Sequence, residues 1–209
     1  MAAGAGWTLP DLAEACVAGG ARLLQLRAKA IPGGEFLQLA THIQAIASSA
    51  GAVLIVNDRA DVARISGAGG VHVGQDDLSP AAVRTIVGPG AVVGFSTHTP
   101  AQIDAAVHEP VTYVAVGPVF GTATKDTGYT AVGLERVQYA AAALARAAAL
   151  TGSQPRGLVA IGGITIDRAA DIIRAGAGSV AVISDLLSTG DPRARVREYL
   201  DRLAPVGRV

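Results

Sequence analysis

Charged side chains follow several short apolar segments of this sequence, at points where a strand could end. The candidates for chemistry are Arg27, Lys29, Asp58, Asp61, Asp76, Asp77 and Lys125. In proteins Mg²⁺ typically takes one or two carboxylates plus substrate phosphate oxygens, while Arg and Lys neutralise the remaining charge. Asp58 and Asp77 suit that role, whereas ordinary surface ion pairs account for Asp61 and Asp76. The pattern therefore indicates a diphosphate bound with Mg²⁺.

A second anion site is indicated by the segment "AIGGITID" (160–167), which places Gly162 and Gly163 between an apolar run and a helix start. Backbone N–H groups at such a turn can point at a phosphate with no Cβ in the way. The next apolar run ends in "VAVISD", and in barrels these two positions often share one phosphate. A tight turn alone would also account for the two glycines.

The loop "VFGTATKDTG" (119–128) places Thr122, Thr124 and Lys125 between two glycines, directly after an apolar run. We interpret it as an anion-binding loop, the alternative being a solvated turn rich in threonine. His72 and His98 are isolated in the sequence, so we interpret both as structural, and no Cys/His cluster indicates a transition metal.

The elements that must position these residues are short apolar runs alternating with helical segments. Continuous apolar runs are typical of parallel strands that are covered on both faces. The predicted strands are 22–26, 53–56, 70–73, 92–95, 112–116, 158–161 and 179–183. Thr8 with Asp11 predicts one helix start, and Thr165 predicts another helix that ends near Gly176.

Two architectures fit this alternation: a doubly wound open sheet and a (β/α)8 barrel. Polar residues follow all seven predicted strands, and a barrel would gather them at one mouth, so we predict an α/β fold of the barrel type. An eighth strand is not evident in residues 1–6. Residues 1–209 show no change of composition, so they are predicted to form a single domain.

Composition narrows the partners of the protein. Its 17 basic and 17 acidic side chains cancel, so no basic field is available for nucleic acid. Cys16 is the one cysteine and predicts no internal disulfide. No apolar segment approaches the ~20 residues that a membrane-spanning helix needs. We expect a cytoplasmic protein that binds small molecules and neither nucleic acid nor membrane, with a homo-oligomer left open.

The sequence resembles the thiamine phosphate synthase family. The resemblance covers about residues 21–187 and rests on seven motifs in order: "QLRAK", "VNDR", "GVHVGQDD", "GFSTHT", "VAVGPVFGTATKDT", "AIGGIT" and "GAGSVAVIS". It implies a (β/α)8 TIM barrel that joins 4-amino-2-methyl-5-pyrimidinylmethyl diphosphate to a thiazole phosphate (carboxylate), giving thiamine phosphate and diphosphate.

The resemblance also implies roles for individual residues. The pyrimidine diphosphate would contact Gln25, Arg27, Lys29, Asn57, Ser96 and Lys125. The Mg²⁺ ligands would be Asp58 and Asp77. The thiazole phosphate would contact Thr122, Ala123 and Thr124, with its phosphate on Gly163, Ile183 and Ser184.

The implied chemistry is dissociative, because diphosphate departs first and leaves a cation that the thiazole nitrogen attacks. No protein nucleophile is needed, so the catalytic residues would be those that stabilise the leaving group: Arg27, Ser96 and Lys125. Two rival functions remain: an isomerase of the thiazole tautomerase type, which needs no diphosphate site, and a noncatalytic phosphate-binding barrel.

The sequence departs from the family pattern at its N-terminus. Members usually begin with a strand resembling "LYxITD", whereas this sequence enters almost directly at the first helix. The start could lie upstream of Met1, the chain could be truncated, or the barrel could lack its first β-strand. We expect two exposed strand edges in a barrel of that kind.

Overall fold

A computed structural model describes residues 6–121 and 130–206 of the chain. Its strands form one parallel sheet whose order follows the sequence, with every neighbour consecutive. The strands are β1 (Leu23–Leu26), β2 (Val53–Asn57), β3 (Gly70–Val73), β4 (Val92–Thr97), β5 (Tyr113–Val116), β6 (Gly157–Ile161) and β7 (Ser179–Ala181). The seven predicted strands are therefore confirmed, each within two residues at either end.

Helices precede, separate and follow these strands. They are α1 (Leu9–Gly19), α2 (Gly33–Ser49), α3 (Ala60–Ser66), α4 (Pro80–Val87), α5 (Pro100–Ala106), α6 (Gly133–Thr151), α7 (Ile166–Arg174) and α8 (Pro192–Leu203), with a 3-10 helix (Ser184–Leu187) after β7. No helix in the described parts of the chain is long and apolar enough to span a bilayer.

The predicted helix ends are observed. The Thr8 hydroxyl accepts a hydrogen bond from the Asp11 N–H at 3.2 Å and so caps α1. Thr165 is the N-cap residue of α7, but its side chain makes no capping hydrogen bond. Helix α7 ends at Arg174, and Gly176 adopts a left-handed conformation with φ 107°. The Thr165 side chain therefore leaves the backbone N–H groups at the start of α7 to other partners.

The main core lies between the sheet and the helices. Fully buried strand residues such as Leu54, Val71 and Val114 pack there with helical residues such as Ile103 and Ile172. Because successive strand residues point to opposite faces, the alternate positions of these strands face away from the helices. Polar side chains on that opposite face are the ones available for chemistry.

The two outer strands, β1 and β7, each pair with a single strand among the described residues. Leu23 on β1 is accordingly 48% exposed. The helical layer is more continuous than the sheet, because α1 packs against both α2 and α8. Helices from the two ends of the described chain thus lie side by side.

Candidate functional site

The parallel arrangement brings the polar segments predicted from the sequence to one edge of the sheet. Strand register aligns Gln25 with Ile55, and Asn57 with His72. Since all the strands run in the same direction, the residues that follow them lie at their shared carboxyl-terminal edge. That edge includes Lys29 after β1, Asp58 after β2, Asp77 after β3 and Gly163 after β6.

Lys29 and Asp58 form the most direct pairing at this edge. The Lys29 ammonium lies 2.8 Å from an Asp58 carboxylate oxygen, and the two side chains are 54% and 20% exposed. They line a small open cleft together with Ala28, Ile31, Phe36, Asn57 and Arg59. A residue predicted to bind diphosphate and a residue predicted to bind Mg²⁺ are therefore adjacent.

The backbone at Asp58 is unusual for a residue with a side chain. Its φ is 64°, in the left-handed region, and it is the only such non-glycine residue in the described parts of the chain. The Asp58 N–H donates to the His72 carbonyl at 2.8 Å, and the Arg59 N–H donates to the Asn57 carbonyl at 2.8 Å. Backbone conformations of this kind are concentrated at functional sites. The turn fixes the direction in which the carboxylate leaves the end of β2.

Asp77 lies in the exposed turn that follows β3. One of its carboxylate oxygens accepts a hydrogen bond from the Gly74 N–H at 2.8 Å. The neighbouring Gln75 amide donates to the Ser96 carbonyl at 2.6 Å, which ties this turn to the end of β4. Within the described residues no group of three or more His, Cys, Asp or Glu side chains could hold a metal. A cation here would need ligands from a substrate as well as from the protein.

Ser96 belongs to a chain of polar side chains on the inner face of the sheet. His72 Nε2 lies 2.7 Å from the Ser96 hydroxyl, and His72 Nδ1 lies 2.9 Å from the Tyr113 hydroxyl. Burial raises the pKa of Tyr113, although a hydrogen bond from Gln25 opposes the shift. Gly94 leaves room for this arrangement, since a Cβ there would lie 2.5 Å from His72 Nδ1. These hydrogen bonds join β3, β4 and β5, and the Gln25 side chain of β1 faces Tyr113.

The interpretation of His72 as an isolated structural residue missed its contact with Ser96. Strand register decides that contact, because His72 aligns with Gly94, and Ser96 lies two residues further along the same strand, on the same face. A signal was present in the sequence: "GVHVG" and "VVGFS" alternate in phase, so His and Ser fall on the same face. Pairing the two strands in register was the missing step.

Gly162 and Gly163 are required by close packing as well as by conformation. Their φ values are 99° and 62°. A Cβ on Gly162 would lie 2.5 Å from Pro118 Cβ, and one on Gly163 would lie 2.5 Å from the Gly121 carbonyl oxygen. The backbone after β5 therefore rests directly on this turn, with the Phe120 N–H donating to the Gly162 carbonyl at 3.0 Å.

The remaining predicted residues are placed as follows. Arg27, Ile183 and Ser184 are exposed, and Asn57 is buried at the end of β2. Thr122, Ala123, Thr124 and Lys125 lie outside the described residues. Asp61 forms the surface ion pair expected of it, with Arg59 at 2.6 Å, whereas Asp76 makes no ion pair with any described residue.

Two carboxyl groups not singled out in the sequence also stand out in the structure. Asp104 accepts the Tyr139 hydroxyl on the outer surface. Asp185, next to Ser184, accepts from Arg195 and Tyr199 of α8. Both contacts join residues far apart in the chain, so the sequence offers no local signal for them.

Comparisons with known proteins agree on one family. The sequence profile described as thiamine monophosphate synthase matches residues 3–186. A thiamine-phosphate synthase of Methanoculleus marisnigri is 44% identical over 96% of this chain and 90% of its own length. That of Koribacter versatilis is 46% identical over 94% of this chain and 87% of its own length.

A solved structure agrees with these sequence comparisons. The structure of a thiamine phosphate pyrophosphorylase from Pyrococcus furiosus superposes with a TM-score of 0.83 at 26% identity, covering 95% of this chain and 91% of that one. The likeness thus extends over nearly the whole sheet and its helices.

Proposed function

The chain belongs to the thiamine monophosphate synthase family, and we propose that it joins 4-amino-2-methyl-5-pyrimidinylmethyl diphosphate to thiazole phosphate (carboxylate), releasing diphosphate. The observation that carries the proposal is the cleft at the ends of β1 and β2, where Lys29 lies 2.8 Å from Asp58 beside the buried Asn57. Cation, carboxylate and amide are the groups that a metal-bound diphosphate requires.

The fold that we propose for this reaction is of the (β/α)8 barrel type, with the seven described strands as consecutive members of its sheet. Support comes from the strand order, which follows the chain without a reversal. A doubly wound sheet would reverse its order at a switch point. The packing of α1 against α8 also continues the helical layer across the interval between β7 and β1.

The pyrimidine diphosphate would bind where the first four strands end. Arg27 and Lys29 provide positive charge after β1, Gln25 and Asn57 provide amides, and Ser96 provides a hydroxyl. Lys125 would add a further cation from the loop after β5. The negative charge on the diphosphate grows as it departs. Donors already in place therefore stabilise the departing diphosphate more than they stabilise the bound substrate. Arg27, Ser96 and Lys125 would therefore act on the leaving group.

The donor set suits Mg²⁺. Asp58 and Asp77 offer two carboxylates at the ends of adjacent strands, and such oxygen ligands combined with substrate phosphate oxygens are typical of this ion. Bound there, Mg²⁺ would neutralise part of the diphosphate charge. Asp77 is already oriented by the Gly74 N–H, and Asp58 is oriented by the left-handed turn.

The thiazole phosphate would bind at the opposite side of the mouth. Gly163 lies after β6, and Ile183 with Ser184 follows β7 at the start of the 3-10 helix. Exposed backbone N–H groups in these two turns suit a phosphate. Thr122, Ala123 and Thr124 would contact the same substrate. A cytoplasmic enzyme acting on small molecules fits these assignments, and a homo-oligomer is compatible with them.

Diphosphate release provides the test. We expect release only when both substrates and Mg²⁺ are present, because the pyrimidine cation must be captured by the thiazole nitrogen. An isomerase would convert the thiazole phosphate alone without releasing diphosphate. A noncatalytic barrel would bind a phosphate ligand and turn over nothing. Either result would contradict the proposal.

A pair of variants ties the activity to the cleft. Lys29→Ala should lower kcat/KM for the pyrimidine diphosphate by about 10²-fold, because the variant loses a cation that would bind the diphosphate both in the substrate and as its charge grows. Arg174→Ala is the matched control, since it also removes an exposed cation paired with an aspartate at 2.7 Å, but on α7. An equal loss in both variants would argue against a special role for Lys29.

A further inference from the structure

The two turns assigned to the thiazole phosphate come from different strand ends and need a common support. One turn, residues 162–165, follows β6, and the other, residues 182–184, follows β7. Thr165 does not cap α7 with its own side chain. Separate loops can bind one phosphate only if the distance between their N–H groups is fixed. The support must therefore come from another element.

Asp185 supplies the first part of this support. It directly follows Ser184, and its side chain is 10% exposed. The backbone N–H of Ile166, at the start of α7, faces the Asp185 carboxylate and helps to keep its pKa low. Asp185 therefore lies between the turn after β7 and the start of α7, which directly follows the turn after β6.

Helix α8 holds Asp185 from the other side. Arg195 donates through Nε at 3.0 Å and through Nη2 at 3.1 Å, a two-point contact with the carboxylate. The Tyr199 hydroxyl donates at 2.6 Å to Asp185 Oδ2, the oxygen that also accepts from Arg195 Nε, and it lies 3.5 Å from the Ile164 carbonyl oxygen. Tyr199 is buried, with the Arg195 guanidinium 5.8 Å from its ring centroid.

The charge state of Asp185 follows from these contacts. Burial alone would raise its pKa, but hydrogen bonds from Arg195 and Tyr199 outweigh burial and hold the pKa below its ordinary value. Other charged groups facing the cluster are Glu198, which accepts from Arg195 at 2.7 Å, and Asp167 near Tyr199. The carboxylate is therefore ionised and fully engaged by donors at neutral pH.

Stability alone does not explain the cluster of Asp185, Arg195 and Tyr199. Replacing a buried ion pair by apolar side chains of similar size is often neutral or even stabilising. Apolar side chains could not make directional hydrogen bonds to the turn after β6 and the turn after β7.

We propose that Asp185, Arg195 and Tyr199 are positioning residues that fix the spacing of the two turns around the phosphate of the thiazole substrate. This inference rests on the proposed function, since it takes that substrate as the ligand. The three residues do not touch the phosphate. They act through Ser184 and through the start of α7.

The test is the affinity for thiazole phosphate, measured by calorimetry so that turnover is not required. Tyr199→Phe keeps the ring and removes only the hydroxyl. We expect the Kd for thiazole phosphate to rise about tenfold, the effect of losing one hydrogen bond to a charged group. The KM for the pyrimidine diphosphate, which binds at the other side of the mouth, should stay within about twofold of the parent's.

Tyr139→Phe is the matched control. Its hydroxyl also donates to an aspartate, Asp104, at 2.7 Å, but on the outer surface between α5 and α6. It should leave both affinities unchanged. Asp185→Asn, which keeps the shape of the side chain and removes its charge, should weaken thiazole phosphate binding at least as much as Tyr199→Phe.

The outcomes separate the inference from the function it rests on. A Tyr199→Phe protein with the parent's Kd, or with equal weakening towards both substrates, would overturn the positioning role while the synthase assignment stands. A parent protein that binds thiazole phosphate but never releases diphosphate would overturn the function, and the Kd of the variant would still decide the positioning role. A parent that binds no thiazole phosphate would overturn both.

Discussion

At the scale of single residues, the site depends on side chains fixed by partners on neighbouring strands. Ser96 is half-buried, and its hydroxyl lies 2.7 Å from His72 Nε2. His72 is in turn bonded to Tyr113, so its ring cannot turn freely. A hydroxyl positioned in this way needs little reorganisation when charge develops beside it.

Ser96→Ala should lower kcat by about 10²-fold, because one donor to the leaving group is lost. It should also lower the free energy of unfolding by about 1–3 kcal/mol, because the buried His72 loses the partner of its Nε2. Steady-state kinetics and urea unfolding would measure the two quantities. Thr85→Ala is the control, since it removes an exposed hydroxyl that bonds only within α4. A parent-like kcat in Ser96→Ala would contradict the role of Ser96.

The sequence predicted which types of residue lie at the site more readily than it predicted which residues contact one another. The polar residues after each strand could be predicted, because a strand end and its following loop are local in sequence. The contact between Ser96 and His72 spans 24 positions, and that between Tyr199 and Asp185 spans 14. Such pairs depend on register and helix packing, which no local pattern specifies.

At the scale of elements, the turn after β6 combines two requirements that the sequence had left as alternatives. Its glycines were interpreted either as a phosphate-binding turn or as a tight turn alone. The structure gives them a packing role, because the segment 118–121 rests on Gly162 and Gly163. The phosphate role stays a prediction, and the two roles are compatible.

Gly163→Ala should lower the free energy of unfolding by about 1–3 kcal/mol, because the residue has φ 62° and its new Cβ would meet Gly121 and Phe120. Urea unfolding provides the measurement. Gly34→Ala is the control of opposite sign: it lies in α2, where nothing is within 4 Å of an added Cβ. There we expect a gain of about 0.5–1 kcal/mol.

At the scale of the whole molecule, the order of the strands and the layers of sheet and helices could be predicted from the sequence. Closure of the sheet into a barrel could not. Seven continuous apolar runs predicted seven parallel strands, and these are confirmed. Whether β1 and β7 approach each other and close the sheet cannot be predicted from the apolar runs, because these specify strands and not the spacing between the first strand and the last. The contact of α1 with α8 is likewise visible only in three dimensions.

Cys16 reports on the burial of α1. It lies in α1 and is 6% exposed, and burial raises its pKa from 9.0 to about 11. Below about pH 9 both folded and unfolded chains keep the thiol proton. Between about pH 9 and pH 11 only the unfolded chain loses it, so the stability falls as the pH rises.

We expect this alkaline loss to reach about 2–3 kcal/mol, at about 1.4 kcal/mol for each unit of pKa difference. Urea unfolding of the parent and of Cys16→Ser between pH 8 and pH 11 would measure it. The variant cannot ionise there, and all other titrating groups are shared, so the difference between the two slopes isolates the thiol. Parallel slopes would show that Cys16 is not buried when the chain is folded.

The ion pair between Lys29 and Asp58 carries one further consequence. Each side chain now serves as the counter-ion of the other, at 2.8 Å. An anion that draws Lys29 away leaves Asp58 in need of a cation, and a cation at Asp58 likewise releases Lys29. Linkage then requires each ligand to raise the affinity for the other by the same factor. We therefore expect the diphosphate and the cation to bind cooperatively, each raising the affinity for the other.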